Sequence, residues 1–322
     1  MLRINKLTEM WQENFNTRQM GGIGMVKRFK SPEGKQLIYE SYDKLLELWG
    51  VDKEELDIET RYGKTHVIVS GNIANPPLLL FHDSGSNSVM GWFPNIREFV
   101  KHYYVVAVDY FGGAGKSEPN ESYPKEFDVV LWVNKLLDTL GIKMTNIAGV
   151  SYGGYLTLAY TAKNPSRVNK VICMANYPYV RGIKGYLLFY LLVFRTLKIL
   201  LPEIFNFSEE NAIDILRKFT APNSVVSSFL NKEFAKHWFH ILKYSRVVVQ
   251  QETYFDNVAI NIFREKALFL IGDSDKLIYH PSIIKTLKVN KLNYKIIKDT
   301  GHVINIEQPE LINREINTFL LT

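Results

Sequence analysis

Cysteine is nearly absent from this sequence of 322 residues, in which Cys173 stands alone. A single cysteine excludes an intrachain disulfide framework and any metal site built from several cysteines. Cys173 lies within KVICMA, an apolar run with the pattern of a strand. We therefore expect a buried, chemically inert thiol.

Long hydrophobic runs are also absent. The longest, YLLFYLLVF at residues 186–194, spans nine residues and ends at Arg195, whereas a membrane-spanning helix needs about 20. The first sixteen residues, MLRINKLTEMWQENFN, contain neither the apolar segment nor the cleavage site of a secretory signal. These absences predict a soluble, cytoplasmic protein without stable membrane insertion.

Blocks of five or six like charges are missing too, although 39 basic and 33 acidic side chains give a formal net charge of +6. The positive excess is spread along the chain. Nucleic-acid binding requires a basic face or a reader motif, and the sequence contains neither, so we expect no nucleic-acid partner. The hydrophobic share of 46% is ordinary for a globular protein with a substantial core.

From residue 77 onward, short apolar runs alternate with helical patterns. The runs are rich in β-branched or aromatic residues, as in strands that are covered on both faces. They are PLLLFHD, YYVVAVDY, MTNIAGVS, KVICMAN, ALFLIGD and YKIIKDT, and the helical patterns cover residues 127–141, 154–165, 281–290 and 309–320. This alternation predicts an α/β fold with a mostly parallel central sheet flanked by helices.

Three regions are expected in the chain. Residues 1–55 form an arm and a helix, with Ser31 as its cap and Pro32 in its first turn. The core occupies residues 56–179 and 259–322, and begins with a hairpin in LDIETRYG and KTHVIVSG. Residues 180–258 carry aromatic-rich helical patterns, and a structureless loop of that length is rare in a compact domain. We interpret this segment as a helical cap inserted over the sheet.

One serine stands between glycines in IAGVSYGGYL, residues 147–156. The pattern G-x-S-x-G arises by chance in about one chain in ten of this length, and Ser151 could be only a hydroxyl where a strand meets a helix. The context favours a nucleophile, because a buried-strand pattern runs directly into a helix pattern. The resulting tight turn exposes the serine and leaves the next N–H at a helix N-terminus.

A serine nucleophile needs a base and an acid that orients the base. His302, in KDTGHVIN, follows the last strand pattern and precedes the last helix, so it is the candidate base. The other six histidines are expected to be surface or hydrogen-bonded core residues. Asp273 and Asp275, at the end of ALFLIGDSD, are both candidates for the acid.

Together these motifs resemble the α/β-hydrolase fold family, in its serine hydrolase branch, over roughly residues 56–320. The matching stretches are FHDSGSNS, VDYFGGAGKS, GVSYGG, GDSD and DTGHVINIEQPE. The resemblance implies Asp275 as the acid, three residues after Gly272. It also implies that the N–H groups of Ser84 and Tyr152 form the oxyanion hole, with no metal or organic cofactor. The N-terminal helix and GWFPNI are similar to bacterial carboxylesterases of the naproxen-esterase type.

Two stretches depart from the family pattern. Asp83 replaces the usual glycine beside the oxyanion donor, where a carboxylate would oppose the charge that develops in the reaction. If this carboxylate is paired or points away, the oxyanion hole survives. We expect Asp83→Gly to leave esterase activity equal or higher. VDYFGGAGKS is one residue longer than the family pattern, so this loop is expected to be reshaped.

The implied activity is that of a carboxylesterase acting on small to medium apolar esters through an acyl-enzyme on Ser151. Aromatic side chains of the cap are expected to line an apolar pocket, while packing onto the core is the alternative for each. They are Tyr186, Phe189, Phe194, Trp238 and Phe239. Carbon–carbon bond hydrolysis, perhydrolysis and a catalytically idle ligand-binding or signalling role are rival functions, because one fold hosts many chemistries.

Overall fold

The computed structural model describes residues 26–123, 125–178, 208–222, 224, 230–249, 254–278 and 281–322. Within them the chain forms one mixed sheet of nine strands, flanked by helices. The predicted α/β architecture with a mostly parallel sheet is confirmed.

The N-terminal helix α1, Pro32–Glu47, begins where the sequence predicts. The Ser31 hydroxyl accepts a hydrogen bond from the Gly34 N–H at 3.0 Å, which satisfies one of the unpaired donors of the first turn. Strands β1 (Lys53–Thr60) and β2 (Gly63–Ser70) then form the expected antiparallel hairpin.

The central strands are short and almost wholly buried. They are β3 (Pro77–Phe81), β4 (Tyr104–Val108), β6 (Thr145–Val150), β7 (Val168–Met174), β8 (Ala267–Gly272) and β9 (Asn293–Ile297), while the two-residue β5 (Glu118–Pro119) pairs with β2. The order is β1-β2-β4-β3-β6-β7-β8-β9, and the pairs from β4 to β9 are parallel. Because these strands are parallel, the carboxyl ends of β3, β6, β8 and β9 lie at the same edge of the sheet.

Helices connect and cover these strands. They are α2 (Ser88–Trp92), α3 (Ile96–Phe99), α4 (Val129–Thr139), α5 (Tyr152–Lys163), α6 (Ala212–Arg217), α7 (Lys232–Tyr244), α8 (Asn257–Lys266), α9 (Pro281–Val289), α10 (Ile304–Glu307) and α11 (Pro309–Leu320). Helix α5 is buried along most of its length because it lies directly on β3, β6 and β7.

The segment interpreted as a cap contributes α6 and α7 to the described residues. Helix α7 buries Phe234, His237, Trp238 and Ile241 at helical spacing and packs against α1. Helix α8 crosses the expected boundary at residue 258. The cap and its limits stay a prediction, because residues 179–207, 223, 225–229 and 250–253 lie outside the described part.

The segment just before α1 packs on the loop after β4. Arg28 is 4% exposed, and its guanidinium donates to the carbonyl oxygens of Gly113 at 2.8 Å and Gly115 at 3.1 Å, and to that of Ser117. A buried cation needs such acceptors. The end of the expected arm is thus part of the scaffold beneath this loop.

Candidate active site

Ser151 lies in a tight turn between β6 and α5. Its φ of 52° and ψ of −119° are strained for a residue with a side chain, a conformation that persists only where the surroundings enforce it. The Ser151 N–H donates to the Met174 carbonyl at 2.8 Å, and the Asn176 amide donates to the Ser151 carbonyl at 2.6 Å. The turn is therefore held from the neighbouring strand β7.

The glycines around Ser151 are required by close backbone contacts. A Cβ on Gly149 would lie 2.3 Å from the Gly153 carbonyl oxygen, and one on Gly153 would lie 2.3 Å from the Phe81 carbonyl oxygen. Only glycine permits approaches this close. The elbow thereby packs directly against the end of β3, from which the loop with Ser84 begins.

Three predicted residues meet at the carboxyl edge of the sheet. His302 Nε2 lies 3.0 Å from Ser151 Oγ, and His302 Nδ1 lies 2.8 Å from Asp275 Oδ2. Both distances are those of hydrogen bonds. The arrangement can therefore carry a proton from the serine to the imidazole, with the carboxylate orienting the ring.

Burial and charge act in opposite directions on His302. Burial disfavours the imidazolium, but the charge of Asp275 and its hydrogen bond outweigh burial, so the pKa of His302 is raised above 6.5. The negative charge of Asp83 adds to this increase. The site therefore stabilises the protonated imidazole that would form during attack.

The two candidate acids have different surroundings. Asp275 is 1% exposed, and its Oδ1 accepts the N–H groups of Leu277 at 2.8 Å and Ile278 at 3.0 Å, so both carboxylate oxygens are engaged. Asp273 instead accepts the Ser274 hydroxyl at 3.0 Å. Of the two, the structure brings only Asp275 to His302.

The two predicted oxyanion donors lie on either side of the elbow. Tyr152 is the first residue of α5, so its N–H lies at the positive end of the helix dipole. Ser84 lies in the loop after β3, and within the described part of the chain its N–H makes no hydrogen bond. Two such N–H groups are suited to a developing oxyanion.

The Asp83 carboxylate accepts hydrogen bonds within its own loop. Its Oδ1 accepts the Gly85 N–H at 2.8 Å, and its Oδ2 accepts the Ser86 hydroxyl at 2.6 Å. The carboxylate that replaces the usual glycine is therefore paired, and it shapes the turn that carries Ser84.

Aromatic rings connect the two sides of the site. The Tyr110 ring lies 4.7 Å from the His82 ring and 5.3 Å from the Tyr152 ring, measured between centres. His82 Nδ1 donates to the Asp83 carbonyl at 2.7 Å, and burial lowers the pKa of His82. A neutral His82 thus supports the loop from below.

Helix α7 holds the far end of the same loop. His237 is fully buried, and its Nε2 accepts the Asn87 amide at 2.8 Å while its Nδ1 lies 2.8 Å from Ser41 Oγ. Burial, followed by the charge of His240, lowers the pKa of His237 to about 3. Asn87 also caps α2 through the Met90 N–H. His237 therefore ties α1, α7 and the loop together as a neutral core residue.

The predicted pocket residues are only partly accounted for. Tyr186, Phe189 and Phe194 lie outside the described residues. Trp238 is buried in the core at 7% exposure, and Phe239 packs partly against the core. Substrate contact for these five residues stays a prediction.

The described residues border cavities in at least two places. One, of about 460 Å³, runs between α5 and α8 and is bordered by Tyr152, Tyr155 and Phe255. The other, of about 330 Å³, lies beside Phe93 and Arg97. Neither is lined by Trp238 or Phe239.

Several other sequence expectations concern groups outside the triad. His66 Nδ1 lies 2.9 Å from Asp57 Oδ1, and His240 Nδ1 lies 2.9 Å from the Leu37 carbonyl, so both are hydrogen-bonded. Cys173 is buried. In the described ranges no group of three or more His, Cys, Asp or Glu side chains could hold a metal ion. None of the helices described is both long and apolar enough to cross a membrane.

Asn176 and Asn87 are site residues that the sequence reasoning missed. Asn176 lies two residues after the end of β7 and donates to the Ser151 carbonyl, while Asn87 lies inside FHDSGSNS. Both sit at positions where a strand ends or a helix begins, which is the available signal. Their partners are distant in sequence, so the contacts themselves could not be inferred.

A family model described as the alpha/beta hydrolase fold matches residues 76–309. Carboxylesterase YbfK of Bacillus subtilis (strain 168) is 24% identical over 304 residues, which cover 91% of this chain and 96% of that protein. The uncharacterized carboxylesterase nap of the same organism is 27% identical over 300 residues, covering 87% and 91%. The crystal structure of naproxen esterase (carboxylesterase NP) from Bacillus subtilis has a TM-score of 0.71 at 24% identity, covering 90% and 99%.

Proposed function

The chain belongs to the α/β-hydrolase fold family, and from this premise we propose that it is a serine carboxylesterase. The observation that carries the proposal is the hydrogen-bonded series from Ser151 through His302 to Asp275. The similarity to two bacterial carboxylesterases over most of their length supports the same activity.

In the proposed reaction, Ser151 Oγ attacks the ester carbonyl carbon while His302 Nε2 takes the hydroxyl proton. Asp275 orients the imidazole through Nδ1 and stabilises the imidazolium. The carbonyl oxygen becomes an oxyanion that accepts hydrogen bonds from the N–H groups of Ser84 and Tyr152. Each such donor contributes about 3–4 kcal/mol to lowering the barrier.

The tetrahedral intermediate then collapses. The bond between the carbonyl carbon and the alcohol oxygen breaks, and His302 delivers its proton to the departing alcohol. Water attacks the acyl-enzyme with His302 as the base, and release of the acid restores Ser151. No step needs a metal or an organic cofactor.

The proposed substrates are small to medium esters without charge at the acyl group. The aromatic side chains around Tyr152, namely Tyr110, Tyr155 and Phe255, support an apolar environment beside the elbow. The charge of Asp83 near His302 also disfavours anionic substrates, because like charges repel at short range. The cytoplasmic location and the helical cap stay predictions.

A panel of p-nitrophenyl esters of increasing acyl length tests the activity. Wild type is expected to hydrolyse them and to be labelled by a fluorophosphonate, whereas Ser151→Ala loses both. The acid is tested with a matched pair. Asp275→Asn is expected to lower kcat by about 10⁴-fold, because an amide facing Nδ1 favours the wrong tautomer, while Asp273→Asn keeps most of the activity.

Two results would overturn the proposal. One is the absence of Ser151-dependent hydrolysis together with the absence of labelling in folded wild type, which would favour an idle ligand-binding member. The other is cleavage of a carbon–carbon bond or peracid formation in clear preference to every ester, which would assign the same triad to another reaction.

A further inference from the structure

Building on the proposed function, we propose that Glu307 is a positioning residue that fastens the turn at residues 219–221 to the histidine loop and so holds His302 in its reactive orientation. Among the described residues, Glu307 makes no hydrogen bond to the side chain of Ser151 or of His302. Its influence would pass through the backbone on both sides of Gly301.

The two oxygens of the Glu307 carboxylate accept hydrogen bonds from two different segments of the backbone. Oε2 accepts the Gly301 N–H at 2.7 Å, and Oε1 accepts the Ala221 N–H at 2.7 Å. Glu307 is 5% exposed. Replacing this carboxylate would leave a buried N–H group without an acceptor, and a buried donor without a partner lowers the stability of the fold.

The same turn also accepts a hydrogen bond from the backbone of His302. The His302 N–H donates to the Phe219 carbonyl at 2.7 Å. The N–H of Gly301 is thus bound by Glu307. The N–H of His302 is bound by the turn at residues 219–221, which Glu307 also holds. Glu307, the turn at residues 219–221 and the Gly301–His302 peptide are therefore joined by three hydrogen bonds that form a closed ring.

The turn at residues 219–221 also packs closely against Gly301. A Cβ on Gly301 would lie 2.2 Å from the Phe219 carbonyl oxygen and 2.7 Å from the Thr220 carbonyl carbon. The turn therefore presses on the histidine loop with backbone atoms, which cannot move aside as a flexible side chain can. Any shift of this turn is transmitted to His302.

The acid loop meets the same turn. Lys276, the residue after Asp275, donates a hydrogen bond from Nζ to the Lys218 carbonyl at 3.3 Å. Residues 218–221 therefore contact the loops of two triad members. Since this turn belongs to the predicted cap, Glu307 would link the placement of the cap to the geometry of the triad.

The test compares Glu307→Gln with Gly301→Ala, which disturb the ring from opposite sides. Glutamine has the same size but places an NH2 group against one N–H donor. Both variants are expected to lower kcat by about tenfold or more, with KM changed by less than about twofold, because small displacements of a catalytic group reduce rate more than binding. Rates are expressed per active site titrated with an organophosphate, so that unfolded protein does not contribute.

Tyr62→Phe is the matched control. The Tyr62 hydroxyl accepts the Asp128 N–H at 3.0 Å, and among the described contacts Tyr62 has no hydrogen bond or ring contact with a triad side chain. The control also removes one acceptor from a backbone N–H, and it is expected to lower stability without changing kcat per titrated site.

A second readout does not depend on esterase activity. The proton on His302 Nδ1, which is hydrogen-bonded to Asp275, is expected to give a downfield resonance in proton NMR. This resonance should shift or broaden in Glu307→Gln but not in Tyr62→Phe. If wild type lacks Ser151-dependent hydrolysis, the proposed function fails and this resonance alone decides the role of Glu307. Unchanged kcat per titrated site in both ring variants, or an unchanged resonance where no activity exists, would overturn the positioning role.

Discussion

The two sides of the site are held in place by different means. The elbow with Ser151 is fixed by backbone packing, since Gly149 and Gly153 leave no room for a Cβ. The loop with Ser84 is fixed by polar side chains, chiefly Asp83 within the loop and His237 through Asn87. The first arrangement tolerates no added atom, whereas the second depends on charge and hydrogen bonding, so the two should respond to different perturbations.

In the comparison of the two sides, the largest effect is expected from adding one methyl group to the elbow. Gly153→Ala would place a Cβ 2.3 Å from the Phe81 carbonyl oxygen and 2.5 Å from that of His82, forcing β3 and α5 apart. We expect kcat/KM for a short p-nitrophenyl ester to fall by about 100-fold.

Gly154→Ala, one residue further along α5, is the control for this variant. Its added Cβ would lie 3.0 Å from Asn176 Cβ and 3.1 Å from Cys173 Sγ, so its neighbours need to shift far less than the backbone carbonyls that face a Cβ on Gly153. Alanine also favours the helix over glycine by about 1 kcal/mol. Equal losses in both variants would contradict a steric elbow and point to a general loss of folding.

A smaller effect is expected from removing the carboxylate of the loop. The sequence alone predicts equal or higher activity for Asp83→Gly, but the hydrogen bonds to Gly85 and Ser86 predict the opposite sign. Without them the turn that carries Ser84 has fewer constraints, and we expect kcat to fall by roughly threefold to tenfold, less than for outright loss of an oxyanion donor.

Steady-state kinetics together with thermal unfolding decide between the two signs. A rise in kcat with unchanged unfolding temperature would show that the charge of Asp83 costs more than its hydrogen bonds contribute. A fall in kcat in a fully folded variant would support the loop-shaping role.

The smallest effect concerns pH. Because the pKa of His302 is raised, the imidazole becomes protonated and unable to act as base as pH falls through a value above about 6.5. The acid limb of kcat/KM should therefore lie above that pH. Asp83→Asn removes a charge that raises the pKa of His302, so its acid limb should move to lower pH.

Ser86→Ala separates charge from hydrogen bonding in this experiment. It removes the bond to Asp83 Oδ2 but leaves the carboxylate charged, so its acid limb should coincide with that of wild type. A shift as large as that of Asp83→Asn would mean that loop geometry, not charge, governs the base.

Local patterns were sufficient for most of the fold. Ser31 and Pro32 predicted the start of α1, and the apolar runs after residue 77 predicted the buried strands, because capping and periodicity act over a few residues. The elbow was predictable for the same reason, since the glycines, the strand and the helix are contiguous.

Contacts between distant segments were not predictable in this way. Asp273 and Asp275 both follow β8, and residues alone left the choice open until family resemblance favoured Asp275. The place of Trp238 in the core, the pairing of Asp83, and the bonds of Glu307 to Gly301 and Ala221 had no signal in the spacing.

By itself, then, the sequence determined which segments become strands and helices and which side chains reach the carboxyl edge of the sheet. The tertiary structure decided which carboxylate faces His302, that the Asp83 carboxylate is paired within its loop, and that the turn at residues 219–221 lies against the histidine loop. The physical reason is range: propensity, capping and turn strain are set by adjacent residues, whereas hydrogen bonds between loops depend on how the completed sheet brings their ends together.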